Sequence, residues 1–168
     1  MKRITRCSLL LLAFSLAACG KSAASADDAQ TRQLAGALTG DAKGDAASNP
    51  QCAAFSPAEI ATYGGTPVSA GRNAAMGTGC QWPGVAGDGS GTVMLQIVRA
   101  SDHSPLSHAE GFRKLSDVGT KGFVVPQMGG WQAGAIQGER SINVTTGSAS
   151  SEAKTIALLR EAVKRSGH

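Results

Sequence analysis

Three histidines, four cysteines and one glycine-framed aspartate are the side chains best suited to chemistry in this chain. His103 and His108 stand five residues apart, whereas two ligands on one helical face need the i, i+4 spacing. Asp102 precedes His103 directly, and an acid and a base adjacent in sequence rarely face each other. His168 ends the sequence. Neither Gly-x-Ser-x-Gly nor His-Glu-x-x-His occurs, so no nucleophile elbow or zinc-protease helix is written here. Asp88 lies in Gly87-Asp-Gly-Ser-Gly91. That string lacks the further carboxylates of a calcium loop and the Gly-Lys-Ser/Thr of a phosphate loop, and it reads as a hairpin loop. Trp82 and Trp131 could stack a ligand or anchor a core. Aromatics are only 4% of the residues, so the core has the stronger claim on both. No catalytic residue, metal or cofactor is expected, and the chain reads as non-enzymatic.

The cysteines sort by position. Cys7 falls in a stretch that opens with Lys2, Arg3 and Arg6 and then runs apolar to Ala18. Cys7–Ala18 is twelve residues, about 18 Å of helix against the ~30 Å of a hydrocarbon core. A cationic start and a short apolar run are the pattern of an export signal rather than a membrane span. Leu16-Ala17-Ala18-Cys19 resembles a bacterial lipobox. The resemblance implies cleavage before Cys19, a diacylglycerol thioether on its sulfur and a third acyl chain on its amine. Several acyl chains, at ~0.8 kcal/mol per buried methylene, make a stable anchor. It also implies a place in the cell envelope. Gly20 stands where inner-membrane retention uses Asp, which points to the outer membrane, facing the periplasm, in a Gram-negative cell.

Export also changes the charge. Sixteen Lys+Arg against twelve Asp+Glu give +4. Residues 1–18 carry three of the bases, so thirteen against twelve leaves +1 after cleavage. Beyond residue 18 no run of bases is longer than two, Lys164-Arg165 at the chain's last helix being one such pair, which excludes the basic stripe of a nucleic-acid face. Cys52 and Cys80 are the remaining thiols. In an oxidising compartment a disulfide is their simplest state. Free or regulatory thiols and a metal site are the alternatives, although there is no Cys-x-x-Cys and two thiolates are too few for structural zinc. A bridge closing a loop of roughly 28 residues stabilises by ~3–4 kcal/mol on the chain-entropy model.

The 168 residues suit one domain. Residues 19–50 read as the lipidated cysteine and a tether of Ala, Gly, Ser, Asp, Lys and Thr, too poor in apolar side chains to offset ordering entropy by burial. Such a tether spans ~30 Å root-mean-square. A transient helix over Asp28–Leu38 has a weak apolar face of Leu34, Ala35 and Leu38. Residues 51–168 read as the globular domain. Ser56-Pro-Ala-Glu59 is a capping box that opens a helix to about Tyr63. Short strands are expected at Thr66–Ala70 and Gly79–Trp82, and a central strand at Thr92–Arg99. Ser107-His-Ala-Glu110 is a second capping box, for a helix to about Leu115 that Gly111 weakens. Residues 116–130 read as irregular. Trp131–Gln137 and Arg140–Thr146 form a hairpin around Gly138-Glu139 in the manner of a type II′ turn, with Ile142 and Val144 inward and Ser141, Asn143 and Thr145 outward. A final helix runs from about Ser151 to Arg165, capped by Ser150, with Ile156, Leu159 and Val163 as its stripe. The class is α+β: a single, mainly antiparallel sheet, with two short helices and a C-terminal amphipathic helix packed on it.

The string Cys52-Ala-Ala-Phe-Ser-Pro-Ala-Glu-Ile60, then Gly64-Gly65, then Cys80-Gln-Trp82, resembles an uncharacterised domain of small envelope lipoproteins best represented in actinobacteria. The resemblance implies the disulfide and the lipid anchor, and it brings no established activity. The expected function is binding of another envelope component. An inhibitor or immunity lipoprotein that captures a toxin or hydrolase, and a carrier of a small apolar ligand, are the alternatives. The segment expected to meet a partner is Phe123, Val124, Val125, Met128 and Trp131, which either tucks under the sheet or forms an exposed patch.

Overall fold

The computed structural model describes residues 46–167. The expected export segment, Cys19 and residues 20–45 of the expected tether, with the helix expected at Asp28–Leu38, lie outside the described residues. The first described element is a 3-10 turn at Ala46–Ser48. Helix α1 (Pro50–Ala53) follows, capped by Asn49. Asn49 is buried. Its Oδ1 accepts from Gln51 N, while its Nδ2 donates to Asn73 Oδ1 at 2.7 Å and to the Gly79 carbonyl at 2.9 Å. One side chain thus caps a helix and ties it to the sheet. Helix α2 (Pro57–Gly64) has the expected capping box in full: Ser56 Oγ accepts from Glu59 N, and Ser56 N donates to Glu59 Oε2. It stops at Gly65, whose φ of 83° suits glycine.

Among the described residues seven strands form one sheet: β1 (Arg72–Ala74), β2 (Gly79–Trp82), β3 (Val93–Arg99), β4 (Arg113–Leu115), β5 (Thr120–Gln127), β6 (Gly130–Gln137) and β7 (Arg140–Thr146). Their order is β1-β2-β3-β7-β6-β5-β4, and every pair is antiparallel. Helix α3 (Glu152–Ser166) packs across β6 and β7. The fold is therefore α+β with a single antiparallel sheet and a C-terminal helix laid on it. Period-two alternation aims Cys80, Trp82, Val93, Leu95, Ile142, Val144, Ala133 and Ala135 at the helices. Ile156, Leu158, Leu159 and Ala162 of α3 meet them. Burying each large aliphatic side chain contributes about 1.5–3 kcal/mol. Cys52 and Cys80 are joined by a disulfide, with Cα atoms 5.1 Å apart, so α1 is stapled to β2.

Several elements differ from expectation. Thr66–Ala70 is not a strand. Pro67 has no N–H for a ladder, and the segment makes one bridge, Val68 to Gly84, before β1 begins at Arg72. Ser107–Leu115 forms turns and then β4 rather than a helix. Gly111 sits at φ 76°, which breaks a helix too short to nucleate by itself, and the Phe112 ring stacks on Phe123 at 5.8 Å. Residues 116–130 are mostly ordered as β5. The run Phe123-Val-Val125 is a strand whose glycine neighbours disguise it. Pro126 is tolerated there because β4 has ended: Arg113 pairs with Val124 and β4 begins at Arg113. Ser141 points away from the helices but is fully buried. The cap of α3 is Ser151, and Ser150 instead donates to the Tyr63 carbonyl at 2.6 Å.

Candidate functional site

The five residues expected to meet a partner do not make one patch. Phe123, Val124 and Val125 are consecutive in β5, so alternation splits them between the two faces of the sheet. Val124 joins the core under α3. Phe123 and Val125 are buried on the opposite face, where Phe112 and His103 of the β3–β4 connection cover Phe123. Burial keeps all three away from any partner of the folded protein. Trp131 is half-buried against the core. Met128 alone stands free, at 99% exposure.

Met128 and Gly129 are the two central residues of the β5–β6 turn, between paired Gln127 and Gly130. Their φ angles are 48° and 80°. A turn with both central residues at positive φ favours Asn-Gly or Asp-Gly. Methionine there accepts backbone strain, and its side chain covers nothing. The turn rims a shallow cleft of 320 Å³ on the sheet face away from the helices, lined by Gln81, Thr92, Met94, Gln127, Met128 and Thr145. Gln96 and Gln132 extend the same face. None of these side chains is ionisable. Arg72 stands at the β1 edge, where it donates to Gln81 Oε1 at 3.3 Å.

The other half of this face is closed by the segment 100–112. His103 Nδ1 lies 2.8 Å from Ser141 Oγ, which also accepts from Asn143 Nδ2 at 3.1 Å. Gly134 makes room for this group, since a Cβ there would collide with Asn143 Oδ1 and the Phe123 ring. Burial lowers the His103 pKa from its usual 6.5, as does the nearby Lys121 charge. A histidine touching a serine has the outline of a base and nucleophile. Here Ser141 is fully buried, with no space for an acyl group to approach, so the pair fastens the segment to the sheet. Asp88 is likewise occupied locally, its Oδ1 accepting from Ser90 N and Oγ. Among the described residues no group of His, Cys, Asp and Glu is placed to hold a metal ion. None of their helices is long and apolar enough to cross a membrane.

On the helix side, Arg165 organises the junction of α1, α2 and α3. Its Nε donates to Glu161 at 2.8 Å and its Nη2 to Glu59 at 2.9 Å. Nη1 donates to the Ala54 carbonyl, and the guanidinium lies 4.1 Å from the Phe55 ring centroid. The Ser56 backbone N–H and then Arg165 hold the Glu59 carboxyl at about 2. In the sequence Glu59 is legible as the last residue of a capping box and Arg165 only as a base near the end of a helix. Their meeting across 106 positions had no local signal. Beside Arg165 opens a second cleft, of 370 Å³, floored by Leu95, Ile97 and Ala162 and walled by Pro50, Gln51 and Ala54. Arg140 stands at its mouth. Compared with protein-family models and with curated proteins, the chain matches none.

Proposed function

We propose that the protein is a non-enzymatic lipoprotein, anchored in the cell envelope through acyl chains on Cys19, whose domain docks another envelope protein. The anchor reading rests on the lipobox-like Leu16-Ala17-Ala18-Cys19 and on the resemblance carried by residues 52–82. The docking reading rests on Met128. A residue held at positive φ, fully exposed, in a turn that stability alone would give to Asn or Gly, is the kind of local cost that function maintains. Methionine is an adaptable contact side chain. The adjoining cleft is lined by amides, hydroxyls and Met94, with Arg72 beyond Gln81 at the sheet edge, so the partner surface is uncharged where it meets the cleft. Binding is then expected to persist through changes in salt that would weaken a charge-steered complex.

The anchor is tested by labelled palmitate in cells. Incorporation into the wild-type protein and its loss in Cys19→Ala is the expected result. A wild-type chain that takes up no label would remove the anchor.

A further inference from the structure

The cleft between α1 and α3 lies on the opposite side of the sheet from Met128 and takes no part in the docking surface. Its floor is Leu95 and Ile97 of β3 with Ala162 of α3. Its two cations differ sharply. Arg165 is saturated: two carboxylates, a carbonyl and the Phe55 ring take up its guanidinium. Arg140 is exposed and donates Nη1 to the Ser166 carbonyl at 3.1 Å. Among the described residues no carboxylate lies within ion-pair distance of it. A guanidinium has five N–H donors in a planar fork, so Arg140 keeps donors for an anion at the cleft mouth.

We propose that this cleft binds a small free amphiphile, its short hydrocarbon body over Leu95, Ile97 and Ala162 and its single anionic head on Arg140. The volume of 370 Å³ falls in the lower range of small-molecule sites, and an apolar floor with a few placed polar groups, here Arg140 with Gln51 and Ser166 beside it, is their usual make-up. The apolar body supplies affinity and the Arg140 fork selects the head, as planar bidentate recognition does elsewhere. The docking proposal can fail without touching this one, because the two use opposite faces of the sheet.

The test is an NMR titration of the full chain with octanoate and, separately, with octanol. The tails are alike and only the head differs. Octanoate is expected to bind at one saturable site, shifting the Leu95, Ile97 and Ala162 methyls, about fivefold more tightly than octanol. Arg140→Gln is expected to bring octanoate down to the octanol affinity and leave octanol unchanged. Arg140 is exposed, so the variant should fold, and unchanged methyl positions without ligand verify that. Equal binding of the two probes in the wild type overturns the proposal. So do shifts confined to Met94 and Met128, or no shift at about 10 mM octanoate. A further arm adds phosphatidylglycerol vesicles without octanoate. If vesicles alone move the cleft methyls, the ligand is a bilayer lipid and the free amphiphile is overturned.

Discussion

Arg165 shows how much one side chain can do where no pattern announces it. Its guanidinium stacks on Phe55, which in turn meets Trp82 edge-on at 6.4 Å. It also answers Glu59, Glu161 and the Ala54 carbonyl. The side chain remains about one-third exposed, so the ion pairs are screened and the cation–π contact and the carbonyl bond matter more. Arg165→Ala is expected to lower unfolding free energy by about 1–2 kcal/mol. Arg165→Lys should recover less than half of that, because an ammonium cannot stack flat and fork at once. Urea unfolding of the three proteins measures both effects. The sequence carried the Glu59 half of this contact plainly, as the fourth letter of a capping box. It carried the Arg165 half only as a base near a helix end, since pairs so distant in sequence are made by topology.

At the scale of elements, local rules worked where local physics decides. The capping box, the helix end near Tyr63, the Gly138 turn at φ 58° and the α3 stripe all lie where the sequence places them. Expectation failed between residues 100 and 130, where tertiary contacts override propensity. Ser107–Glu110 has the letters of a helix start, but Phe112 and His103 are drawn onto Phe123, and a single short turn of helix cannot compete. The same contacts make the segment sensitive to acid. His103 is held neutral, with its pKa pushed below 6.5 by burial. The unfolded chain therefore binds more protons in that range, and stability falls as pH drops below about 6.5. Glu59 acts lower down: its contribution is complete above its ordinary 4.5 and is lost as pH falls to about 2. Hydrogen-exchange protection of residues 100–112, taken relative to the intrinsic amide rate at each pH, should fall between pH 7 and 5, and His103→Phe should abolish that fall. Protection that is flat with pH in the wild type contradicts the fastening role. The disulfide is the other device at this scale. Its loop spans 28 positions, so Cys52→Ala with Cys80→Ala should cost about 3.5 kcal/mol on the chain-entropy model. A matching loss in wild-type protein under reductant would confirm that the bond, and not packing, is responsible.

Across the whole molecule, a domain poor in aromatics is completed by economy of shape. Two alanines, Ala133 and Ala135, are fully buried under α3, and their small size lets the helix lie close to the sheet. Both sheet edges are short, β1 and β4 having three residues each, and Pro126 interrupts the edge that β4 leaves uncovered. Such edges resist strand addition by other chains. Association through a face or turn is then the open route, and Met128 is where that route is most exposed. The local charge points the same way: no ionised group lines the cleft beside Met128. A complex made there should change little between 50 and about 300 mM salt.

The most direct measurement places a photo-crosslinking residue at Met128 in intact cells, and at the exposed Val85 and Leu106 as controls. One discrete adduct from position 128, absent from the controls, is predicted. The same partner should be captured from a neighbouring probe at Gln127 and lost when Met128→Asp is added. Aspartate tolerates the left-handed turn, so that variant should unfold within about 0.5 kcal/mol of the wild type. Adducts from Leu106 but not from 128, or an unchanged adduct in Met128→Asp, would contradict docking through this face.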